Sequence, residues 1–534
     1  MSRRVPIIVL VAYLDRCIVE TLSEGGCHMG NQAAHVLAAD FGAGSGRVVR
    51  GSLDGNRLML HEVHRFPNDP VQLRDELHWD FLRLFYELKQ GIRKGAEGMP
   101  GRIKSIAVDT WGVDYGLIDG AGRLRCNPRH YRDARHAKSM NDVLQMVNEQ
   151  ELYAMSGVLP QQINTIFQLY GELQDSGINS KDSTMNPDAD TRLLFLPDLF
   201  NYYLSGEQAC EYTIASTSGL LHSGEVKWNE PLMSRLGLPV SLFPRLVHSG
   251  TVLGHLSDDL VRELHTGPMK VVSVGSHDTA SALAAIPATE SNYAFISCGT
   301  WSLMGVERDS PVLSVQALEL GFTNEGTVYG KVRTLKNRSG LWLLQECKRQ
   351  WERENRFYSH EELVQLAVSA GAHQSVVSPG DDVFMSPGDM PKRIRQYCEL
   401  TFQTVPETVG AIVRCILESL ALEFRQTLDE LEQITGVRPP VIHMVGGGVH
   451  NRLLCQFTAN ATGVPVIAGP VEASSAGNCL LQYVALGEVG GLSEIRDIVS
   501  ASFDTEMYTP QDSECWQEAY GKYQQFNQRK QNQQ

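Results

Sequence analysis

The chain has 534 residues, more than one hydrophobic core usually serves, so at least two domains are expected. Its 42% hydrophobic and 20% charged residues mark an ordinary globular protein, and a formal net charge of −15 without a basic run argues against nucleic acid as a partner. The 11 cysteines, spread from Cys17 to Cys515 with no Cys-x-x-Cys pair, exclude a disulfide framework or a zinc site and fit a reducing cytoplasm.

At the amino end, Arg3-Arg4 precedes an apolar run over 5–14 that is too short to span a bilayer and lacks a small-residue cleavage site. Residues 1–34 therefore read as a dispensable leader, with Met29 as an alternative start. No membrane-spanning run follows, so no membrane partner is expected. Strands are expected at 36–41, 46–53 and 58–66, and then an amphipathic helix with Phe81, Leu84, Phe85, Leu88 and Ile92 on one face. Further strands follow at 103–110 and 115–119, the latter closed by a turn at Asp119-Gly120. Three strands, a helix and a further strand is the order of a ribonuclease-H-like unit of the actin and hexokinase type.

The first turn, Asp40-Phe-Gly-Ala-Gly-Ser-Gly-Arg47, has glycines at 42, 44 and 46 that let the backbone approach a phosphate, with Asp40 placed to hold a hydrated Mg²⁺. A plain Gly-rich hairpin explains the same string equally well. The string Val108-Asp109-Thr-Trp-Gly112-Val-Asp114 ends a strand in a turn with two carboxylates. Gly112 is suited to a sugar hydroxyl with Trp111 as an apolar wall, although a buried Trp with locally satisfied carboxylates is the simpler reading. Residues 176–190 are polar and read as a surface loop.

A strand over 269–275 then delivers Ser276-His277-Asp278-Thr279 to a small-residue helix running from Ala280 to Ala285. Asp278 alone reads as a helix-initiating residue, and His277 alone as structural. Downstream, Ile296-Ser297-Cys298-Gly299-Thr300-Trp301-Ser302 echoes Ala39 to Ser45, which suggests a duplicated unit with a boundary near 286–292. Two phosphate-type turns bracketing one carboxylate suggest phosphoryl transfer from a nucleotide to a hydroxyl. Leu335-Lys336-Asn337 and Gly340-Leu-Trp342-Leu-Leu-Gln345 read as a polar loop entering a helix, with Asn337 suited to a polyol and Gln345 to a nucleotide. A long helix carries Val409, Ile412, Val413, Ile416, Leu420, Phe424 and Leu428 as one stripe. After a strand at 441–445, Gly446-Gly447-Gly448 lets the backbone lie against an adenine ring, and Asn451 caps the next helix. The segment 469–478 is expected to close the same pocket. The Gln-rich end, 524–534, is expected to fray.

Taken together, Asp109-Thr-Trp-Gly-Val-Asp114, Ser276-His-Asp-Thr-Ala-Ser281, Ser297-Cys-Gly-Thr-Trp-Ser-Leu-Met304, Leu335-Lys-Asn337, Gly340-Leu-Trp-Leu-Leu-Gln345 and Gly469-Pro-Val-Glu-Ala-Ser474 resemble the FGGY family of carbohydrate kinases over about 35–510. The resemblance implies an α/β fold of two ribonuclease-H-like domains with the active site in the cleft between them. The sugar side would be residues 35–286 and the ATP side 287–510, followed by a tail at 511–534. It also implies ATP-dependent phosphorylation of the 1-hydroxyl of L-rhamnulose in L-rhamnose degradation, in the cytoplasm and with Mg²⁺. A sister kinase for L-fuculose or D-xylulose, or a non-catalytic sugar- or nucleotide-sensing protein of the actin-like fold, are the alternatives. Carried over by position, Asp278 would be the proton acceptor. Gly112, His277, Asp278, Thr279 and Asn337 would be sugar contacts, and Ala43, Gly44, Ser45, Gly46, Arg47, Thr300, Gln345 and Gly447 ATP contacts. The chain departs from the family at Ala43, where many members have Thr, and at Cys298, where a smaller residue is usual.

Overall fold

The computed structural model describes residues 34–99, 101–175 and 190–531. The expected leader, apart from Ala34, and the expected loop at 176–190, apart from Asp190, lie outside them. Residues from Ala34 onward form one compact unit built on two mixed sheets.

In the first sheet the strands lie in the order Thr251–His255, Lys270–Ser273, Ile103–Thr110, His35–Phe41, Ser45–Asp54, Arg57–Pro67. The 35–41 strand runs parallel to 103–110, which runs parallel to 270–273, while 45–54 and 57–67 are added antiparallel. The second sheet repeats this plan around Ala294–Cys298. That strand is antiparallel to Trp301–Arg308 and parallel to Ile442–Val445, which pairs in parallel with Val466–Ala468. Val332–Ser339 and Thr323–Gly326 extend the antiparallel side, and Glu506–Tyr508 forms the far edge. The weak repeat between 39–45 and 296–302 is thus a true structural equivalence: each string closes the first strand of its sheet.

The expected helix face is correct. Phe81, Leu84, Leu88 and Ile92 of Phe81–Ala96 are buried against the first sheet. The stripe from Ile412 to Leu428 lies on the 27-residue helix Val409–Thr435 and is buried in the second core. A third core joins the two sheets, made by Asp278–Ala284 and Ala473–Leu486 together with Val36, Ala38, Phe295 and Val445. These helices cross so closely that a Cβ on Gly477 would sit 1.8 Å from the Ser281 carbonyl oxygen.

Three expectations need correction. Tyr115–Ile118 leaves the first sheet and pairs with Arg192–Phe195 in a separate ribbon. Leu335, Lys336 and Asn337 are not in a loop but inside the 332–339 strand. Their polarity misled because Lys336 and Arg338 point to the long helix, where Glu430 takes Lys336 Nζ at 2.5 Å. The expected tail begins with a helix, Ser513–Gln531, because Trp516, Ala519, Tyr520 and Tyr523 recur at helical spacing and are buried in the second core.

Candidate active site

Parallel strands of both sheets end on the same functional edge, as is usual for ligand sites of open α/β sheets. Three carboxylates meet there. Asp40 and Asp109 are strand partners at the ends of 35–41 and 103–110. Asp278 opens the helix that follows the 270–273 strand, and the Thr110 N–H, donating to the Ser276 carbonyl at 2.9 Å, ties that turn to the 103–110 strand.

The environments of these carboxylates differ. Burial pushes Asp40 up, but the Arg47 guanidinium and the Ser474 and Ser475 hydroxyls outweigh it and hold the carboxyl below its usual range. Arg47 Nη2 lies 2.8 Å from Oδ2, which also accepts from Ser474 at 2.6 Å and Ser475 at 2.9 Å. Arg47 also pairs with Glu472. Asp109 is fully buried; burial and the nearby Asp40 charge push its carboxyl well up, against one donor, Asn478 Nδ2 at 2.5 Å. Its Oδ1 has no partner. Asp278 lies between these extremes, raised by burial and by Asp40 against the pull of His277. Its Oδ1 accepts from the Thr279 N–H at 2.5 Å and hydroxyl at 3.1 Å, and 30% of its side chain is exposed. A carboxylate of raised proton affinity, open to the cleft, is suited to accept a proton.

The turn carrying Asp278 is fixed from behind. Glu211 Oε2 accepts from the N–H groups of Thr213, Ile214 and Ser276, and Thr213 Oγ1 accepts from the His277 N–H. Gly112 lies against Thr217, where a Cβ would come within 3.1 Å of the threonine methyl. The next residue, Val113, has φ 69°, a conformation costly for a β-branched side chain and persisting only where the surroundings enforce it. Here Thr217 accepts from its N–H at 3.0 Å, and Thr165 donates to its carbonyl at 2.6 Å. Asp114 follows the simpler reading: buried and pushed up to about 7, it accepts from the Trp79 and Trp111 indoles and from Gln168.

On the other side, Thr300 Oγ1 donates to Gln345 Oε1 at 3.2 Å, and the Thr300 carbonyl accepts from the Gly340 and Trp342 N–H groups. Gly446 and Gly448 press on Cys298, whose Sγ would lie 2.3 Å from a Cβ on Gly448, so the cysteine that departs from the family pattern is accommodated by a glycine. Gly447 between them is exposed, with open space where a Cβ would project. Asn451 caps the following helix, as expected, accepting from the Leu454 N–H at 3.0 Å. The segment expected to close this pocket divides its role. The Pro470 carbonyl meets the Gly446 N–H, while Glu472, Ser474 and Ser475 serve Arg47 and Asp40. In the first turn Gly44 and Ser45 are exposed, and buried Asn68 holds the turn by donating Nδ2 to the Gly42 carbonyl at 2.9 Å. Asn337 is exposed, on the same face of its strand as Arg333 and roughly 13 Å along it.

The structure therefore groups Gly112 with 277–279, Asp40 with Arg47, and Thr300 with Gln345 beside Gly447. Sequence reasoning missed Asn68, Glu211, and the pair Glu325 and Arg333, which reaches His277, and it placed Asn478 in the pocket-closing segment without its bond to Asp109. Only Glu325 and Arg333 left a trace, as opposite charges set in register across a short hairpin.

A model of the FGGY family of carbohydrate kinases, N-terminal domain, matches residues 35–285, and that of the C-terminal domain matches 294–486. The rhamnulokinase of Bacteroides thetaiotaomicron is 39% identical over 484 residues, 91% of this chain and 97% of that protein. The rhamnulokinase of Enterococcus faecalis is 38% identical over 475 residues, 88% of this chain and 93% of that protein. Among solved structures, gluconate kinase from Lactobacillus acidophilus shares the fold at a TM-score of 0.77 and 15% identity, over 93% of this chain and 98% of that one. Glycerol kinase of Plasmodium falciparum, solved with ADP, shares it at 0.74 and 14% identity, over 94% and 98%.

Proposed function

The chain belongs to the FGGY family of carbohydrate kinases, and on that footing we propose that it transfers the γ-phosphoryl group of ATP to the 1-hydroxyl of L-rhamnulose, giving L-rhamnulose 1-phosphate and ADP. The observation that carries this reading is full-length similarity to curated rhamnulokinases joined to a cleft-facing carboxylate of raised proton affinity, Asp278.

Asp278 orients the sugar hydroxyl and takes its proton late, because an alcohol is far too weak an acid for a carboxylate to ionise beforehand. Gly112, His277, Thr279 and Asn337 hold the sugar. Backbone N–H groups of 43–46 and the side chains of Arg47, Thr300 and Gln345 bind the phosphates, and Gly447 leaves room for the adenine ring. Mg²⁺ arrives with ATP and neutralises phosphate charge when bound. Among the described residues no group of three or more His, Cys, Asp or Glu could hold a metal. Asp40 fits a water-mediated role, since its protein donors converge on Oδ2 and none reaches Oδ1. An activity that consumes ATP fits the cytoplasm; among the described residues no helix is long and apolar enough to cross a membrane.

The test is ADP release with L-rhamnulose, L-fuculose and D-xylulose in parallel. L-rhamnulose should give the highest kcat/KM. A higher value for either other ketose replaces the substrate, and no release with any of them rejects the proposed reaction.

A further inference from the structure

Behind Asp278 lies a buried ion pair that none of the roles above uses. Glu325 and Arg333 face each other across the 323–326 and 332–339 strands of the second sheet. Arg333 is completely buried, with Nη2 2.6 Å and Nε 3.2 Å from Glu325 Oε2. Burial pushes the Glu325 carboxyl up, but Arg333 and His277 outweigh it and hold it at about 2. A charged pair whose arginine is fully buried and whose carboxylate is largely so is costly to bury and offers little net stability over apolar packing. This pair also reaches beyond its own sheet: Arg333 Nη2 bonds His277 Nδ1, and His277 Nε2 lies 3.5 Å from Asp278 Oδ1.

The direction of these bonds follows from the donors. An arginine N–H can only donate, so His277 Nδ1 must accept, and the ring proton resides on Nε2, facing Asp278. Glu325 Oε2, 3.4 Å from the same Nδ1, is served by the second hydrogen of that Nη2 group. Asp278 and His277 belong to the first sheet's side of the cleft, Glu325 and Arg333 to the second.

We infer that Arg333, held by Glu325, is a positioning residue that fixes the Nε2–H tautomer and ring plane of His277, and through it the carboxylate of Asp278. The ATP-side sheet thereby orients the group that accepts the sugar's proton. The inference rests on Asp278 being that acceptor. Neither Arg333 nor Glu325 touches the reacting atoms in this scheme.

The decisive variant is Arg333→Lys, which keeps a cation against Glu325 but replaces the planar guanidinium fork, held in place by Glu325, with a shorter, freely rotating ammonium that cannot hold His277 Nδ1 in the same geometry. We expect kcat to fall by about 10²-fold, the cost of a small misplacement at a reacting group, with the KM for ATP unchanged. In a His277→Gln background the same change should cost no more than about twofold, because the only route for its effect is gone. Glu325→Gln, which preserves shape, serves as the second variant and should act in the same way. Imidazole ¹⁵N NMR, with the His277 signals assigned by their loss in His277→Gln, should show the Nε2–H tautomer in the wild type and its loss in Arg333→Lys. Wild-type kcat in Arg333→Lys, an undiminished loss in the His277→Gln background, or an Nδ1–H tautomer in the wild type each overturns the inference. A wild-type chain that phosphorylates no ketose rejects the proposed function instead, and the NMR arm still decides the tautomer.

Discussion

Replacing Asp278 with Asn tests the chemistry most directly, because it removes a charge and almost nothing else. The Asn Oδ1 can keep both bonds now made by Asp278, from the Thr279 N–H at 2.5 Å and from the Thr279 hydroxyl at 3.1 Å. The amide replaces a carboxylate that lies close to Asp40 and Asp109, so the substitution also relieves like-charge repulsion. Folding stability should therefore change by less than about 1 kcal/mol, Asn and Asp being equally good at helix starts. Turnover should fall roughly 10²–10⁴-fold, the range for a positioned acid–base group, which is about 2.7–5.4 kcal/mol of barrier.

The pH dependence adds a second signature. Since burial and Asp40 raise the proton affinity of Asp278, wild-type kcat should fall on the acid side at a pH above the ordinary carboxylate range. Asp278→Asn should lose that limb. Coupled ADP release gives the rates, calorimetric titration the ATP affinity, and thermal unfolding the stability. ATP affinity should be preserved, because Thr300, Gln345 and Gly447 are untouched. Near-normal turnover in a well-folded Asp278→Asn chain would refute the base assignment and leave Asp278 as a helix-starting residue.

Three other substitutions test separate parts of the argument. Gly477→Ala forces a Cβ to within 1.8 Å of the Ser281 carbonyl oxygen, which is backbone and cannot yield, so denaturant unfolding should show a loss on the order of 2–3 kcal/mol; an unchanged midpoint would contradict the close helix crossing. Gln345→Ala removes an exposed partner of Thr300 and should raise the KM for ATP several-fold while leaving the sugar KM and the melting temperature near wild type; a change confined to the sugar KM would move Gln345 out of the nucleotide site. For Asp109 the folded proton affinity is raised, so its stability contribution is complete below the ordinary carboxylate pKa and is lost as pH rises through the raised value. Asp109→Asn, which still accepts from Asn478, should gain on the wild type in unfolding midpoints as pH rises above the ordinary carboxylate range, and a pH-independent difference would contradict the raised proton affinity of Asp109.

The sequence made the two-sheet plan legible because each repeated unit carries its glycines where a neighbouring side chain packs against the backbone. Gly46 against Phe66 and Gly448 against Cys298 are such places. Local grammar failed where a segment's partner is distant. Lys336 and Arg338 read as loop residues until the long helix supplies Glu430. Ser474 and Ser475 read as part of a nucleotide pocket, yet their hydroxyls bond Asp40, more than 430 positions away. Glu325 and Arg333 had no motif at all, since what gives them meaning is His277, reached across the cleft.

That pattern also explains how three neighbouring carboxylates avoid performing the same task. A residue name does not set a charge state; the groups around it do. Asp40 receives a guanidinium and two hydroxyls and stays ionised, the state suited to a hydrated cation. Asp109, one strand over, receives a single amide and no solvent, and its proton affinity is pushed well up. The raised proton affinity of Asp109 disfavours a third negative charge on this edge, while Asn478, on the Ala473–Leu486 helix, donates to it. Asp278 keeps a solvent face and bonds from its own helix start, so its affinity for a proton is raised without the charge being lost outright. Moving any one donor, such as Arg47 from Asp40 or Asn478 from Asp109, would shift the other two through the shared field. The proton affinity of Asp278 therefore depends on residues that make no contact with its carboxylate.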